Sequence, residues 1–477
     1  MRNTGNPAPH DASGKGGRTG RSLALRILLP GLLAGLLAGL ILPPLPAAAA
    51  ADLSFGRARE LLQERSDTLK ASAANVESKE QAADSLKWLH GPTIGIGAAE
   101  MWGEAKIDVE RSVSTPLGSM PLDIEDTYNF SGPRAAVTGT LPIFTGGKIG
   151  AAQKAAKYGA EEARAKLRAT ANQLDAELVT KYFGLQLALS LQKLREATLA
   201  EEDRELARAR KFEKEGMVSH VEVMSVKVAR DAAEREALKA RNNVRTAKLE
   251  LQRLLRSDNL GSLTTPLFVL KKPLAPMESW VEQALKSNPQ LAAVEARVQQ
   301  ADQGVTASKS SWFPQVMAFG QYYFAHPHQA DVWPEWLAGV GVNLTLWDSR
   351  DRAADYRSAR ATLREARAGH ADARNMVRTS AETAWLNTQN AREQYSLTAS
   401  NVALARENLK LKNEGFGEGL YTALDVTHAR DQLLAAEVER RVAAFEFVVN
   451  YALLHLVSGT MPDFMNACTA TDIIREN

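Results

Sequence analysis

Few residues of this 477-residue chain have the types and spacing that chemistry demands. His326 and His328 stand two apart, and alternate residues of an extended stretch can share a metal ion. No further ligand accompanies them, so an exposed loop is the simpler reading. Thr145-Gly146-Gly147-Lys148 shares only its glycines and lysine with a phosphate-binding loop. It lacks G-x4-G-K-[ST] and reads instead as a glycine-softened bend between a strand and a helix. Cys468 is the only cysteine, which excludes an intrachain disulfide and a Cys-based zinc site. No L-x-x-C arrangement follows the leader, which excludes a lipid-carrying N-terminal cysteine. No nucleophile, base and orienter set and no paired catalytic carboxylates stand out. The chain is therefore expected not to be an enzyme and to need no cofactor or metal.

The frame around these residues is more informative. The net charge is +2, which gives no polyelectrolyte signal for nucleic acid. Aromatics are 6%, and long stretches rich in Ala, Glu, Lys, Leu and Arg point to long helices and coiled coils. Arg18, Arg21 and Arg26 precede an apolar run, Gly31 to Leu42, followed by Pro43, Pro44 and Pro46 and by small residues Ala47 to Ala51. That order predicts a secretory signal peptide over 1–51, cleaved near Ala51. The apolar run is short of the ~20 residues a membrane-spanning helix needs, and no later uninterrupted run reaches that length.

Self-comparison shows two copies of one unit. Leu69, Ala74, Val76 and Pro92 recur as Leu291, Ala296, Val298 and Pro314, 222 residues later. Phe144, Tyr182, Gly216 and Val223 recur as Trp347, Trp385, Gly419 and Val426, 203 residues later. Constant offsets mean ungapped alignment, and the difference of 19 residues is extra chain in the first copy between Pro92 and Leu141. The copies are expected at 52–257 and 277–462. A Pro- and Gly-bearing linker (258–276) lies between them and a short tail (463–477) follows.

Each copy is expected to open with helix. In the second, Val281, Leu285, Leu291, Val294 and Val298 keep a helical spacing that Asn288-Pro289 divides into two. Strands follow, at Val316–Phe324 and Leu337–Trp347. In the latter, Ala338, Val340, Val342, Leu344 and Leu346 alternate with Gly339, Gly341, Asn343 and Thr345. The first copy has Ile94 and Ile96 in one strand, and Val137, Leu141 and Ile143 alternating with Thr138 and Thr140 in the other. Apolar residues on one side and small or polar ones on the other is the pattern of a lipid-facing barrel strand, shared by half-buried soluble strands. Trp102, Tyr128, Phe130, Trp312, Phe313, Trp333, Trp336 and Trp347 fall near strand ends, as interface aromatics do. The turn between strands is read as short in the second copy (His326 to Trp336) and long in the first (Glu104 to Gly132).

Long helices come next. Lys148 to Glu215 lacks proline, and Leu167, Leu174, Leu178, Leu185 and Leu189 step by sevens and fours. A second helix, about Val221 to Arg256, carries Val226, Ala233, Ala240, Ala247 and Leu254 at heptad spacing. The second copy repeats this with its turn at Gly419. Four membrane strands cannot close a barrel, since single-chain barrels begin at about eight and open edges are not tolerated in lipid. The chain must therefore oligomerise.

At this point the sequence resembles the TolC-like outer-membrane efflux proteins, over nearly all of 52–462. The resemblance rests on the duplication and on the strand-to-helix junction L-P-I-F-T-G-G-K at Leu141–Lys148, echoed at Leu344–Arg350. It rests also on the tip E-G-M-V-S-H-V-E-V at Glu215–Val223, echoed as E-G-L-Y-T-A-L-D-V at Glu418–Val426, and on N-P-Q-L at Asn288–Leu291. It implies an α+β membrane protein of two tandem repeats, forming a homotrimer with a twelve-stranded barrel and a periplasmic α-helical tunnel. It also implies outer-membrane lipid around the barrel, a periplasmic adaptor (membrane fusion protein) at the helical tips, and an inner-membrane pump engaged indirectly.

The resemblance further implies roles for particular residues. Gly216, Met217 and Val218, with Gly419, Leu420 and Tyr421, match the adaptor-contact tips; the plain alternative is a simple turn with a left-handed glycine. Asp425 matches a carboxylate that rings the periplasmic aperture, and Glu222 is its partner in the first repeat. His428 stands where the family often carries a second carboxylate. That departure questions cation selectivity and adds a group that titrates near neutrality, unless His428 is only a solvated helix residue. Phe416 stands where some members have a tethering tyrosine. The function expected is the outer-membrane exit duct of a tripartite export pump. The alternatives are the outer component of a type I protein secretion system and, in another class, a periplasmic coiled-coil scaffold.

Overall fold

The computed structural model describes residues 52–116, 118–325, 334–347, 349–469 and 472–476. The expected signal peptide (1–51), His326, His328 and Trp333 lie outside the described residues.

The chain starts with two short helices, α1 (Phe55–Arg65) and α2 (Asp67–Ser85), parted at Ser66, whose hydroxyl caps the second by accepting from the Leu69 amide. Strands β1 (Thr93–Thr115) and β2 (Gly118–Phe144) follow, then long helices α3 (Lys148–Lys214) and α4 (His220–Leu255). After β3 (Leu267–Leu270) the same order recurs: α5 (Met277–Ser287), α6 (Pro289–Lys309), β4 (Gln315–Ala325), β5 (Trp336–Asn343), α7 (Arg352–Gly417) and α8 (Ala423–Ser458). The break between α5 and α6 falls at Asn288, whose Oδ1 accepts from the Gln290 and Leu291 amides while Pro289 fills the first helical position. At ~1.5 Å per residue, the 67 residues of α3 reach about 100 Å. Of the heptad residues, Leu178, Leu185, Val226 and Ala240 are buried, and Ala233, Ala247 and Leu254 are half-buried.

The strands form one open antiparallel sheet ordered β1-β2-β4-β5, with β1 and β5 at its edges. Register places Ile96, Val137, Tyr322 and Trp336 in one row and Leu141, Ala318 and Val340 in another on the same face. Ile94, Ile96, Tyr322, Trp336, Val340 and Val342 of this face are exposed. The opposite face carries Thr138 beside Gln321 and Thr140 beside Phe319. Phe319 lies over Gly339, where a Cβ would meet its ring at 3.1 Å.

Two strand expectations are corrected. The first-copy stretch Glu104–Gly132 is not a long turn: β1 runs on to Thr115 and β2 begins at Gly118, paired residue by residue. Lys106-Ile107-Asp108-Val109-Glu110 alternates with a strand's period, but its acids disguise the pattern. Only from Ala135 onward does β2 also pair with β4, so the outer part of this hairpin is a two-stranded ribbon. In the second copy, β5 ends at Asn343 rather than Trp347. Asn343 pairs with Gln315, the first residue of β4, so Leu344–Trp347 have no partner there.

The core sits beside the middle of the long helices. Phe55, Tyr182, Phe183, Phe268, Phe447 and Phe464 are almost wholly buried, each contributing about 1.5–3 kcal/mol by burial. The Tyr182 hydroxyl donates to the Leu53 carbonyl (2.7 Å) and accepts from the Thr265 amide (3.1 Å). The tail also joins this region through α9 (Met461–Thr469) and β6 (Ile473–Glu476), which pairs antiparallel with β3. Helix α8 is long and apolar enough to cross a membrane by length and composition. Its Phe447, Val448 and Leu454 are instead buried in the core.

Candidate functional site

The residues singled out by sequence gather at two helical turns. The first is made by the end of α3. Gly216 has φ 76° and donates its amide to the Glu213 carbonyl (3.0 Å), while the Met217 amide donates to the Phe212 carbonyl (2.8 Å). This pair of bonds closes the helix end and demands the left-handed residue that glycine provides. Three residues later the Ser219 hydroxyl accepts from the Glu222 amide (3.3 Å) and starts α4. The second turn repeats the arrangement: Gly419 has φ 75°, and the Gly419 and Leu420 amides donate to the Phe416 (3.1 Å) and Gly415 (2.8 Å) carbonyls. Thr422 then starts α8.

Around this shared backbone the side chains differ. Met217 is 66% exposed and Leu420 70%, and Val221 beside the first tip and Leu424 beside the second are exposed too, so each tip offers large apolar side chains to its surroundings. Val218 is half-buried and packs with Leu206, Ala209, Val223 and Val226. Tyr421 lies over Gly415, where a Cβ would meet the ring at 2.5 Å, and the Lys412 ammonium stands 3.6 Å from the ring centre. Phe416 has no hydroxyl with which to tether; it joins Ala423 in the same apolar cluster as Val218, so both turns share one small core.

Asp425 closes a reciprocal cap. Its carboxylate accepts from the Thr422 amide (2.9 Å) and hydroxyl (2.7 Å), and its own amide donates to that hydroxyl (3.2 Å). These bonds hold the Asp425 carboxyl below its ordinary range, and the charges of Lys412 and His428 favour the same anion. His428 is exposed one turn further along α8, and Glu222 occupies the first turn of α4, where an acid suits the helix dipole.

Sequence reading missed an ionic centre behind the tips. Arg430 of α8 donates through Nη1 to Oε1 of Glu202 on α3 at 2.5 Å, with 12% and 3% of the side chains exposed. Glu205, one turn along α3, is also buried and meets Arg208 at 3.4 Å. Glu202 Oε2 and Glu205 Oε1 are buried with no hydrogen-bond partner among the described residues. The only available signal was two glutamates at i and i+3 beside the buried Leu206. The first tip adds a second unforeseen contact, His220 Nδ1 to Glu213 Oε1 at 2.7 Å.

Comparison with known proteins sets this arrangement in context. Residues 58–256 and 280–444 match the family described as outer membrane efflux protein. Outer membrane efflux protein BepC of Brucella suis biovar 1 (strain 1330) is 25% identical over 290 residues. That alignment covers 58% of this chain and 62% of BepC. Among solved structures, CusC superposes with a TM-score of 0.71 at 14% identity, covering 86% of this chain and 93% of CusC. The Campylobacter jejuni CmeC outer membrane channel superposes with a TM-score of 0.70 at 13% identity, covering 87% and 89%. These structural likenesses establish the fold.

Proposed function

The chain belongs to the outer membrane efflux protein family, and from that premise we propose that it is the outer-membrane exit duct of a tripartite export pump. It conducts cargo passively and performs no chemistry. The observation that carries the reading is the open sheet: four strands with a face that exposes Ile94, Ile96, Val340 and Val342, and with β1 and β5 at edges unpaired among the described residues, followed by helices about 100 Å long. Unpaired edges are not tolerated in lipid, so several chains must share one barrel. Three copies give twelve strands, and their helices continue as a tunnel through the periplasm of a Gram-negative cell. The two repeats are 52–257 and 277–462, with 258–276 as linker, 463–477 as tail and 1–51 as signal peptide.

In this reading Gly216, Met217 and Val218, with Gly419, Leu420 and Tyr421, meet a periplasmic adaptor that couples the duct to an inner-membrane pump. The exposure of Met217 and Leu420 supports that role, since such side chains suit burial against a partner. Asp425, His428 and Glu222 line the periplasmic aperture, where a ring of carboxylates would favour cations. Membrane fractionation with native mass measurement tests the duct: an outer-membrane trimer is expected, and a soluble monomer would replace the duct with a periplasmic scaffold. Single-channel recording tests the aperture, with Asp425→Lys expected to reduce cation preference. Unchanged selectivity would remove Asp425 from the pore.

A further inference from the structure

A cavity of about 810 Å³ opens between α3, α4, α8 and the segment that leads into β3. Its size falls among sites for drug-sized ligands, roughly 300–1,000 Å³. The walls are apolar where Leu185, Leu189, Val244, Leu260 and Leu263 meet, and Leu185 and Leu260 belong to the buried core. The segment that covers it is fixed: the Leu53 amide donates to the Ser262 carbonyl (2.8 Å), and the Thr264 amide to the Leu53 carbonyl (3.2 Å). The wall is therefore preformed rather than assembled on binding.

The charges are of one sign. Lys193, Lys248 and Arg441 line the cavity, and no carboxylate does. Arg441 is held in place: Nε donates to Ser190 Oγ (2.7 Å) and Nη1 to the Glu437 carbonyl (3.0 Å). Glu437 Oε2 lies 3.9 Å from Arg441 Nη1, outside the lining. An oriented guanidinium and two exposed ammonium groups beside an apolar wall complement a ligand with one anionic head and one short hydrocarbon body.

We infer that this cavity binds a single-chain anionic amphiphile, such as a fatty acid carboxylate or an alkyl sulfate. The site lies apart from the helical tips and from the strand face, so it is separate from adaptor contact and lipid burial. A membrane-derived fatty acid and an amphipathic anionic cargo share this chemistry.

The probe is octanoate, titrated into the full chain in dodecyl maltoside and followed by calorimetry and native mass measurement, with octyltrimethylammonium as the control of opposite charge. One octanoate per chain is expected, with the cation at least tenfold weaker. Lys193→Gln with Lys248→Gln changes two exposed side chains and should weaken octanoate several-fold without moving the melting temperature. Adding Arg441→Gln should bring the loss to about tenfold to a hundredfold, as for a lost hydrogen bond to a charged group. A fatty acid released from protein as purified marks the membrane source; binding of added octanoate alone marks a transient ligand. Equal binding of both amphiphiles, no octanoate binding, or an octanoate affinity that the triple variant leaves unchanged would each overturn the inference.

Discussion

At the first helical tip, Glu213 and His220 form an ionisable contact of 2.7 Å. At the second, the aligned residues are Phe416 and Ala423, which pack in an apolar cluster. Phe212 and Val218 of the first correspond to Gly415 and Tyr421 of the second, so the aromatic ring has changed sides of the turn. In the second it lies directly on Gly415, with Lys412 over it. Ser219 makes a one-way cap, whereas Thr422 and Asp425 bond reciprocally. The two tips thus share one backbone solution, a left-handed glycine followed by a hydroxyl cap, and differ in their side chains. The second tip is the more firmly held, and the first presents a polar contact that water can replace.

That contrast can be broken in a graded way. The largest effect is expected at Arg430, through which the second hairpin grips the first. Arg430→Met leaves Glu202 buried without its partner and should cost about 3–5 kcal/mol in thermal unfolding. A loss no larger than that of a surface substitution would show that the ionic centre does not hold the hairpins together. Next comes Gly415→Leu, which drives a side chain into the Tyr421 ring and should cost about 1–3 kcal/mol. Phe212→Leu at the aligned position of the first tip should cost less, because it trims a half-buried side chain rather than driving one into a neighbour. Thr422→Ala removes the cap and should cost about 1 kcal/mol, with amide exchange rising in the first turn of α8. Ser219→Ala should loosen α4 by less, and equal effects would erase the distinction between the caps. The smallest change is expected from Glu213→Gln, well under 1 kcal/mol because the pair is largely solvated.

Much of this arrangement was legible in the residues themselves. Gly216-Met217-Val218-Ser219 and Gly419-Leu420-Tyr421-Thr422 spell a helix stop followed by a helix start, and the structure forms both. Asn288-Pro289 divides α5 from α6 as its chemistry requires. Ile94, Ile96, Val340 and Val342 gave the parity of the exposed sheet face correctly. What escaped was set by partners rather than by local pattern. The end of β5 follows from where β4 begins, which no reading of Leu344–Trp347 alone could supply. The ribbon of β1 and β2 was hidden because Asp108 and Glu110 disfavour strands singly; the backbone ladder carries them although Asp108 stands opposite Glu125 and Glu110 opposite Asp123. Four-residue β6 has too few residues to display a period. Glu202 and Arg430 lie far apart in sequence and declare their pairing only once α3 and α8 meet.

The pairing of β3 with β6 carries a consequence for timing. Lys272 and Asp472, beside these strands, form an ion pair across 200 residues of sequence. Tyr395 and Arg440 further anchor the second strand by hydrogen bonds to Glu476. Contacts of such separation carry a large loop-closure cost and form late. The belt around the middle of the helices therefore cannot close until the segment carrying β6 is available, whereas each helical hairpin can form from its own residues as soon as they emerge. In this order of events, β6 closes the clasp: a chain stalled before it has its long helices but not the pairing with β3 that holds its middle together.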